Sequence, residues 1–141
     1  TGNIIKDNTE HGIYCCGSKH CTIQSNSISG NAVSGIQLRY ANAEMPIDFN
    51  TVTGNVCYHN GYSAIGGGNG IHLLAYAEHN TVFGNVCACN HDDGIRLQIE
   101  SEHTDIPPIN NVVSGNMCQN NLSEPIEIEN VNNIIANNKT L

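Results

Sequence analysis

Asn80-Thr-Val-Phe-Gly-Asn-Val-Cys87 decides the fold, because the chain writes the same phrase three times. It stands as N-T-V-T-G-N-V-C at Asn50 to Cys57 and as N-V-V-S-G-N-M-C at Asn111 to Cys118. Weaker copies run from Cys21 to Ile28 and from Asn133 to Thr140, and the chain enters partway through another at Gly2. Aligning the copies puts Asn3, Asn26, Asn55, Asn85, Asn116 and Asn138 in one column, at intervals of 23, 29, 30, 31 and 22 residues. These intervals fall in the range of solenoid coils. Five positions later a second column reads Asn8, Asn31, Asn60, Asn90 and Asn121. A G-I-x-L unit follows: Gly12-Ile13, Gly35-Ile36-Gln37-Leu38, Gly70-Ile71-His72-Leu73, Gly94-Ile95-Arg96-Leu97 and Pro125-Ile126-Glu127-Ile128.

Composition agrees with a repeat. Of 141 residues, 22 are Asn and 14 are Gly, while Trp is absent and only 5% are aromatic. Too little ring bulk is present for an ordinary globule, yet 39% hydrophobic residues with only 13% charged argue against disorder. A formal net charge of −8 disfavours a nucleic-acid partner, and no apolar run approaches the length that spans a bilayer. The opening residues do not read as a signal peptide, so none is expected within this stretch.

Within each period apolar and polar residues alternate over short runs, which is the strand signature. Ile23, Val52, Val82, Val113 and Ile135 form one inward column, Ile28, Cys57, Cys87 and Cys118 a second. The third holds the Ile/Leu pairs of G-I-x-L. Asn tolerates the left-handed backbone of tight turns, and stacked Asn side chains can hydrogen-bond along the axis. The expectation is two Asn ladders at the turns of an all-β parallel helix, about five coils of three short strands each. The recurring N-x-I-x-G-N-x-C/I-x-x-N-x-x-x-G-I-x-L resembles the right-handed, single-stranded parallel β-helix repeat of pectin-lyase-like proteins, over essentially the whole chain. Left-handed β-helices use hexapeptides, leucine-rich repeats need more Leu, and the calcium β-roll needs tandem nonapeptides. Residues 1–141 read as a single domain. Neither end carries an amphipathic cap, so a segment of a longer solenoid, or ends covered by partner subunits, is expected.

Seven cysteines leave at least one unpaired. Cys57, Cys87 and Cys118 read as a buried free-thiol ladder, whereas Cys15, Cys16 and Cys21 cluster at one turn with no recognised zinc spacing. Phe49 separates His20 from His79, and His59 with Cys89 is only a weak metal hint. No metal site and no cofactor are predicted.

A packed solenoid works on its outer surface. The x of G-I-x-L reads Tyr14, Gln37, His72, Arg96, Glu127, and the residue before the Gly reads His11, Ser34, Asn69, Asp93, Glu124. Asp92, Asp93, Arg96 and His72 are therefore the candidate catalytic residues, because carboxylates beside Arg and His are the parts for acid–base work on sugars. The same residues fit a salt-bridged polar face with Arg96 paired to Glu127 or Asp93. Long turns at 38–50 and 97–111 leave from one corner; their Tyr40, Glu102 and His103, together with Tyr76 and Glu127, are the candidate substrate-binding residues. Glu44, Glu100 and Asp105 border the same turns, and Gly61 to Asn69 leaves from another corner.

The resemblance implies a polysaccharide or cell-surface glycan partner and an extracellular or virion-surface, tailspike-like setting. If the chain is an enzyme, it implies a glycoside hydrolase, lyase or epimerase. His91-Asp92-Asp93-Gly94-Ile95 partly resembles one polygalacturonase motif, but Ser123-Glu124-Pro125 departs from the next. The D-P-H-E motif of mannuronan epimerases does not occur. The alternative is a structural stalk or adhesin module whose loops pack subunits, with a trimer as the expected homo-oligomer. Similarity to β-helical copper-maturation proteins reaches only the repeat.

Overall fold

The computed structural model describes residues 1–42, 44–63, 67–100, 107–130 and 132–141. All its regular elements are strands, and every pairing between them is parallel. Each coil contributes one strand to each of three sheets. The first sheet stacks Ile4–Lys6, Ser27–Ser29, Val56–Tyr58, Val86–Ala88, Met117–Gln119 and Lys139–Thr140. The second stacks Thr22–Gln24, Thr51–Thr53, Thr81–Phe83, Val112–Ser114 and Ile134–Ala136. The third, carrying G-I-x-L, stacks Ile13–Cys16, Ile36–Arg39, Ile71–Leu73, Ile95–Leu97 and Ile126–Ile128. This is the right-handed parallel β-helix that the repeat implies.

The register follows the sequence columns residue for residue. Val52 pairs with Val82 and Val82 with Val113; Cys57 pairs with Cys87 and Cys87 with Cys118; Ile71 pairs with Ile95 and Leu73 with Leu97. A one-residue slip would turn every inward side chain outward, so a buried interior fixes the pairing. The interior between the sheets is apolar. Ile28, Ile36, Leu38, Val52, Ile71, Leu73, Val82, Ile95, Leu97 and Val113 are fully buried, with the three central thiols among them. Each large aliphatic contributes about 1.5–3 kcal/mol by leaving water. Little room remains for rings, which is why so few occur.

The corners carry the polar interior. Asn3, Asn26, Asn55, Asn85, Asn116 and Asn138 form one continuous ladder, and Asn8, Asn31, Asn60, Asn90 and Asn121 a second. The structure adds a third, Asn50, Asn80, Asn111 and Asn133, where two were expected. These residues open each copy of the N-T-V phrase, so the signal was present in the repeat. In every rung one Oδ1 accepts both the backbone N–H and the Nδ2–H of the Asn one coil earlier. For Asn55 on Asn85 the distances are 2.9 and 3.0 Å. Asn133 aside, the residue before each rung takes the left-handed backbone, as at Gly84 (φ 63°), Cys89 (φ 53°) and His79 (φ 54°).

Gly70 shows why G-I-x-L begins with Gly. A Cβ there would lie 2.6 Å from the Gly94 carbonyl oxygen and 2.9 Å from the Cys87 Cβ. The long turns also stack instead of standing free: Ile47–Asp48 pairs with Ala77–Glu78, and Glu78 bridges to Ile109. No helix among the described residues is long and apolar enough to cross a membrane.

Replacing Asn85 by Ala would orphan the buried N–H and Nδ2–H of Asn55 and the carbonyl of Val52. The expected loss is about 2–4 kcal/mol, at 1–3 kcal/mol for each unsatisfied buried group with partial relaxation. Asn138→Ala, at a half-exposed last rung, is expected to cost less. Urea unfolding of the two variants measures the difference, and equal midpoints would contradict the ladder's role.

Candidate functional site

The outward face of the third sheet carries a dense set of polar side chains. Strand pairing places Tyr14, Gln37, His72, Arg96 and Glu127 in one column, each opposite the next. Side chains alternate along a strand, so a second outward column lies two residues further on: Cys16, Arg39, Leu74, Gln98 and Glu129. Its members complete the site, and sequence reading passed over Arg39, Gln98 and Glu129 as functional partners. The period of two signalled only that these three positions face outward.

One half of the face is organised around Arg96. Its guanidinium contacts Asp92 at 3.5 Å, Asp93 at 3.6 Å, Glu127 at 3.1 Å and Glu129 at 2.9 Å. Asp93 is fully buried, and its Oδ1 accepts the Glu124 N–H at 2.8 Å. Its Oδ2 and the Arg96 Nε have charge contacts but no aligned hydrogen bond. One cation among four carboxylates leaves an excess of negative charge. The acids respond accordingly: burial, with Asp93 close by, raises the Glu127 carboxyl above its ordinary range. Burial and the neighbouring Asp93 charge do the same for Asp92.

His72 sits beside this cluster and is outward but covered. Gln98 folds over it, with His72 Nε2 at 2.9 Å from Gln98 Oε1, and Gln37 Nε2 approaches His72 Nδ1 at 3.4 Å. These partners assign the neutral tautomer with its proton on Nε2. Burial, reinforced by Arg96, lowers its pKa to about 3. The imidazole is thus a fixed neutral bridge between the two halves of the face.

The other half is concave. A cleft of about 350 Å³ is lined by Glu10, His11, Tyr14, Gln37 and Arg39. A neighbouring cleft of about 320 Å³ extends it toward Thr9, Val33 and Ser63. Tyr14 is half-exposed and stacks on His11 with ring centroids 5.4 Å apart. His11 Nδ1 accepts the Ser34 N–H at 3.3 Å, and burial lowers the pKa of its ring. Arg39 is held at 3.2 Å by Glu100 but keeps solvent access.

The remaining sequence candidates lie elsewhere. Tyr40 is buried, donates its hydroxyl to Glu100 Oε2 at 2.9 Å, and packs on Tyr76 at 4.7 Å. This pair braces Glu100, and through it Arg39. Glu102, His103 and Asp105 lie outside the described residues. Glu44 is exposed at the edge of its turn. Phe49 is stacked between His20 and His79, at 5.5 and 4.9 Å, so the two imidazoles are spaced by a ring.

The fold and this face define a parallel β-helix that presents a polar, partly concave sheet to solvent. The chain belongs to the NosD family, described as "Periplasmic copper-binding protein (NosD)", whose model matches residues 1–94. Among solved structures it is similar to the periplasmic alginate epimerase AlgG, with TM-score 0.79 and 18% identity over 100% of this chain and 33% of that one. A single-substitution variant of AlgG matches with TM-score 0.76 and 19% identity, over 98% of this chain and 32% of that one. The chain thus spans about a third of the length of these structures. A search of the curated proteins finds none that matches.

The family description implies copper, and the donor set tests it. Copper sites draw on convergent imidazole and sulfur ligands. Among the described residues no three His, Cys, Asp or Glu side chains converge as a metal-binding group. Cys57, Cys87 and Cys118 are sealed in the core, Phe49 spaces His20 from His79, and Gln37 and Gln98 hold His72. These residues do not form a copper cage.

His72 gives the site a pH signature. Its folded pKa of about 3 lies below the ordinary 6.5, so the unfolded chain binds the extra proton and stability falls as pH drops from about 6.5 toward 3. Asp92 and Glu127, shifted upward, act in the opposite sense where they titrate, above the ordinary carboxylate range. His72→Gln is expected to flatten the acid limb of denaturation midpoint against pH. In the parent chain, ¹⁵N shifts of His72 should report a neutral ring at pH 5; an imidazolium there would contradict the assignment.

Proposed function

We propose that this chain is a saccharide-binding segment of an exported β-helix protein, engaging a polysaccharide along the third sheet and gripping it in the Tyr14 cleft. The observation that carries the reading is the cleft itself. It combines a half-exposed aromatic ring, a solvent-accessible guanidinium, an amide and a carboxylate on a rigid sheet. A sugar ring offers an apolar face to Tyr14 and hydroxyls to Gln37, Glu10 and Arg39, which is the usual division of labour in a polar ligand site. Coils repeat every roughly 4.8 Å, comparable to one sugar unit, so successive outward side chains meet successive residues of an extended polymer.

Support also comes from the solved structure it is similar to, which is named for alginate. Within this chain the D-P-H-E motif is absent, so the reading is binding, and epimerisation is not assigned to these residues. Arg96 is engaged by four carboxylates and offers little to an anionic polymer, while the Arg39 end has the better electrostatics for a uronic acid or a neutral sugar. Where the strip takes part in polymer processing, the roles we assign are proton exchange to Asp92 and Glu127, with Asp93 and Arg96 positioning them and His72 as a neutral bridge. The compartment we propose is periplasmic or extracellular, following the printed descriptions of the family and of AlgG; no observation favours a virion-borne setting.

Titration calorimetry with oligosaccharides, uronic-acid and neutral, tests the reading. Tyr14→Ala and Arg39→Ala are each expected to weaken binding about tenfold, corresponding to roughly 1.4 kcal/mol. Absence of binding to every oligosaccharide, or affinity indifferent to both substitutions, would sink it in favour of a structural stalk.

A further inference from the structure

Glu100 reaches the rim of the Tyr14 cleft from two coils away. It follows strand Ile95–Leu97 in sequence, yet its side chain lies against the end of strand Ile36–Arg39. Its Oε1 is 3.2 Å from Arg39 Nη2, and its Oε2 accepts the Tyr40 hydroxyl at 2.9 Å. Two consecutive residues thus take both oxygens of one carboxylate. The scaffold fixes this reach: the Gln98 N–H donates to the Leu73 carbonyl and the Ile99 N–H to Glu129 Oε2, each at 2.9 Å. Arg39 is held in turn by strand pairing with Cys16 and lies over the Tyr40 ring, 5.8 Å from its centroid.

This contact sets the charge of the cleft. Arg39 and Arg96 are the only arginines of the chain, and both stand on the third sheet's outward face. Arg96 is shared among four carboxylates, and Arg39 is paired with Glu100. Burial lowers the His11 pKa below 6.5, so near pH 7 the cleft sets one cation against the carboxylates of Glu10 and Glu100. An incoming carboxylate has two routes, and each is costly. Beside Glu100 it adds a third negative charge. In place of Glu100 it strands a carboxylate only 19% exposed and leaves the Tyr40 hydroxyl without its acceptor. A sugar hydroxyl meets neither penalty, because it can accept from the solvent-facing part of Arg39 or donate to Glu10.

We propose that Glu100 is the specificity determinant of the Tyr14 cleft: as the internal counter-ion of Arg39, it admits uncharged sugar rings and disfavours those bearing a carboxylate. The inference rests on the saccharide reading above and selects within it. Glu100 occupies the position on Arg39 that the carboxylate of an acidic sugar needs, so removing its charge opens the cleft to uronates.

Titration calorimetry on matched ligands tests this. Gluco- and manno-oligosaccharides are compared with their uronate counterparts, which differ only by oxidation of the primary alcohol to a carboxylate. The parent chain is expected to bind the uncharged member of a pair about tenfold more tightly. Glu100→Gln keeps the shape and can still accept the Tyr40 hydroxyl; it should shift the affinity ratio about tenfold toward the uronate. Asp7→Asn, which removes the same charge at an exposed corner, should leave the ratio where it was. In the parent chain, uronate affinity should also rise with ionic strength as repulsion is screened, a readout that does not depend on the variant folding. A parent chain that prefers uronates, uronate binding weakened by salt, or a Glu100→Gln ratio equal to the parent's would overturn this proposal alone. The last result would make Glu100 only a brace. Binding of no member of any pair would overturn it together with the saccharide reading.

Discussion

Everything in this molecule depends on hydrogen-bonding the backbone at its corners. A parallel coil must turn three times per period. Each turn buries an amide just inside the strand edge, where water cannot reach it. Asn answers this in one side chain: its carbonyl takes the buried N–H of the coil before, and its amide group passes to the next Asn and to a strand carbonyl. Because each rung serves its neighbour, a ladder tolerates few gaps, and the residue preceding nearly every rung sits in the left-handed region. That constraint explains the excess of Asn and the scarcity of bulky rings more directly than any functional demand.

The same regularity governs the outer face. Exact stacking puts Arg96 next to Glu127 by pairing and next to Asp92 and Asp93 by local chain geometry, so charges accumulate at one level of the helix. The arrangement is compensated but acid-rich: burial makes Asp92 and Glu127 hold their protons more tightly, and burial beside Arg96 keeps His72 neutral. At the other end of the sheet, charge thins and the surface hollows around Tyr14 and Arg39. Tyr40, Tyr76 and Glu100 support that hollow from the turn behind it, which gives the long turn between residues 38 and 50 a purpose inside the chain itself.

The fold was legible because a solenoid's contacts are periodic in the sequence. Val52, Val82 and Val113 meet in space for the same reason that they align on paper, and the same holds for Cys57, Cys87 and Cys118. The third ladder was written in the opening Asn of each N-T-V phrase and needed only to be counted as a rung. The outward column Tyr14 to Glu127 was equally visible. Less visible was its companion two residues on, since Arg39 and Glu129 lie at positions where the repeat varies and the turns begin. Gln98 over His72 could not be read at all, because its approach depends on where a turn folds after leaving the sheet.

The sequence by itself therefore determined the coil, its register, the buried columns and which positions face outward, because a strand's alternation and a coil's period are local properties of the chain. Tertiary structure alone decided which outward residues see solvent. It covered His72, engaged Arg96 on four sides and buried Tyr40. Exposure and protonation depend on the distance between side chains from different coils and turns, and no one-dimensional pattern encodes that distance.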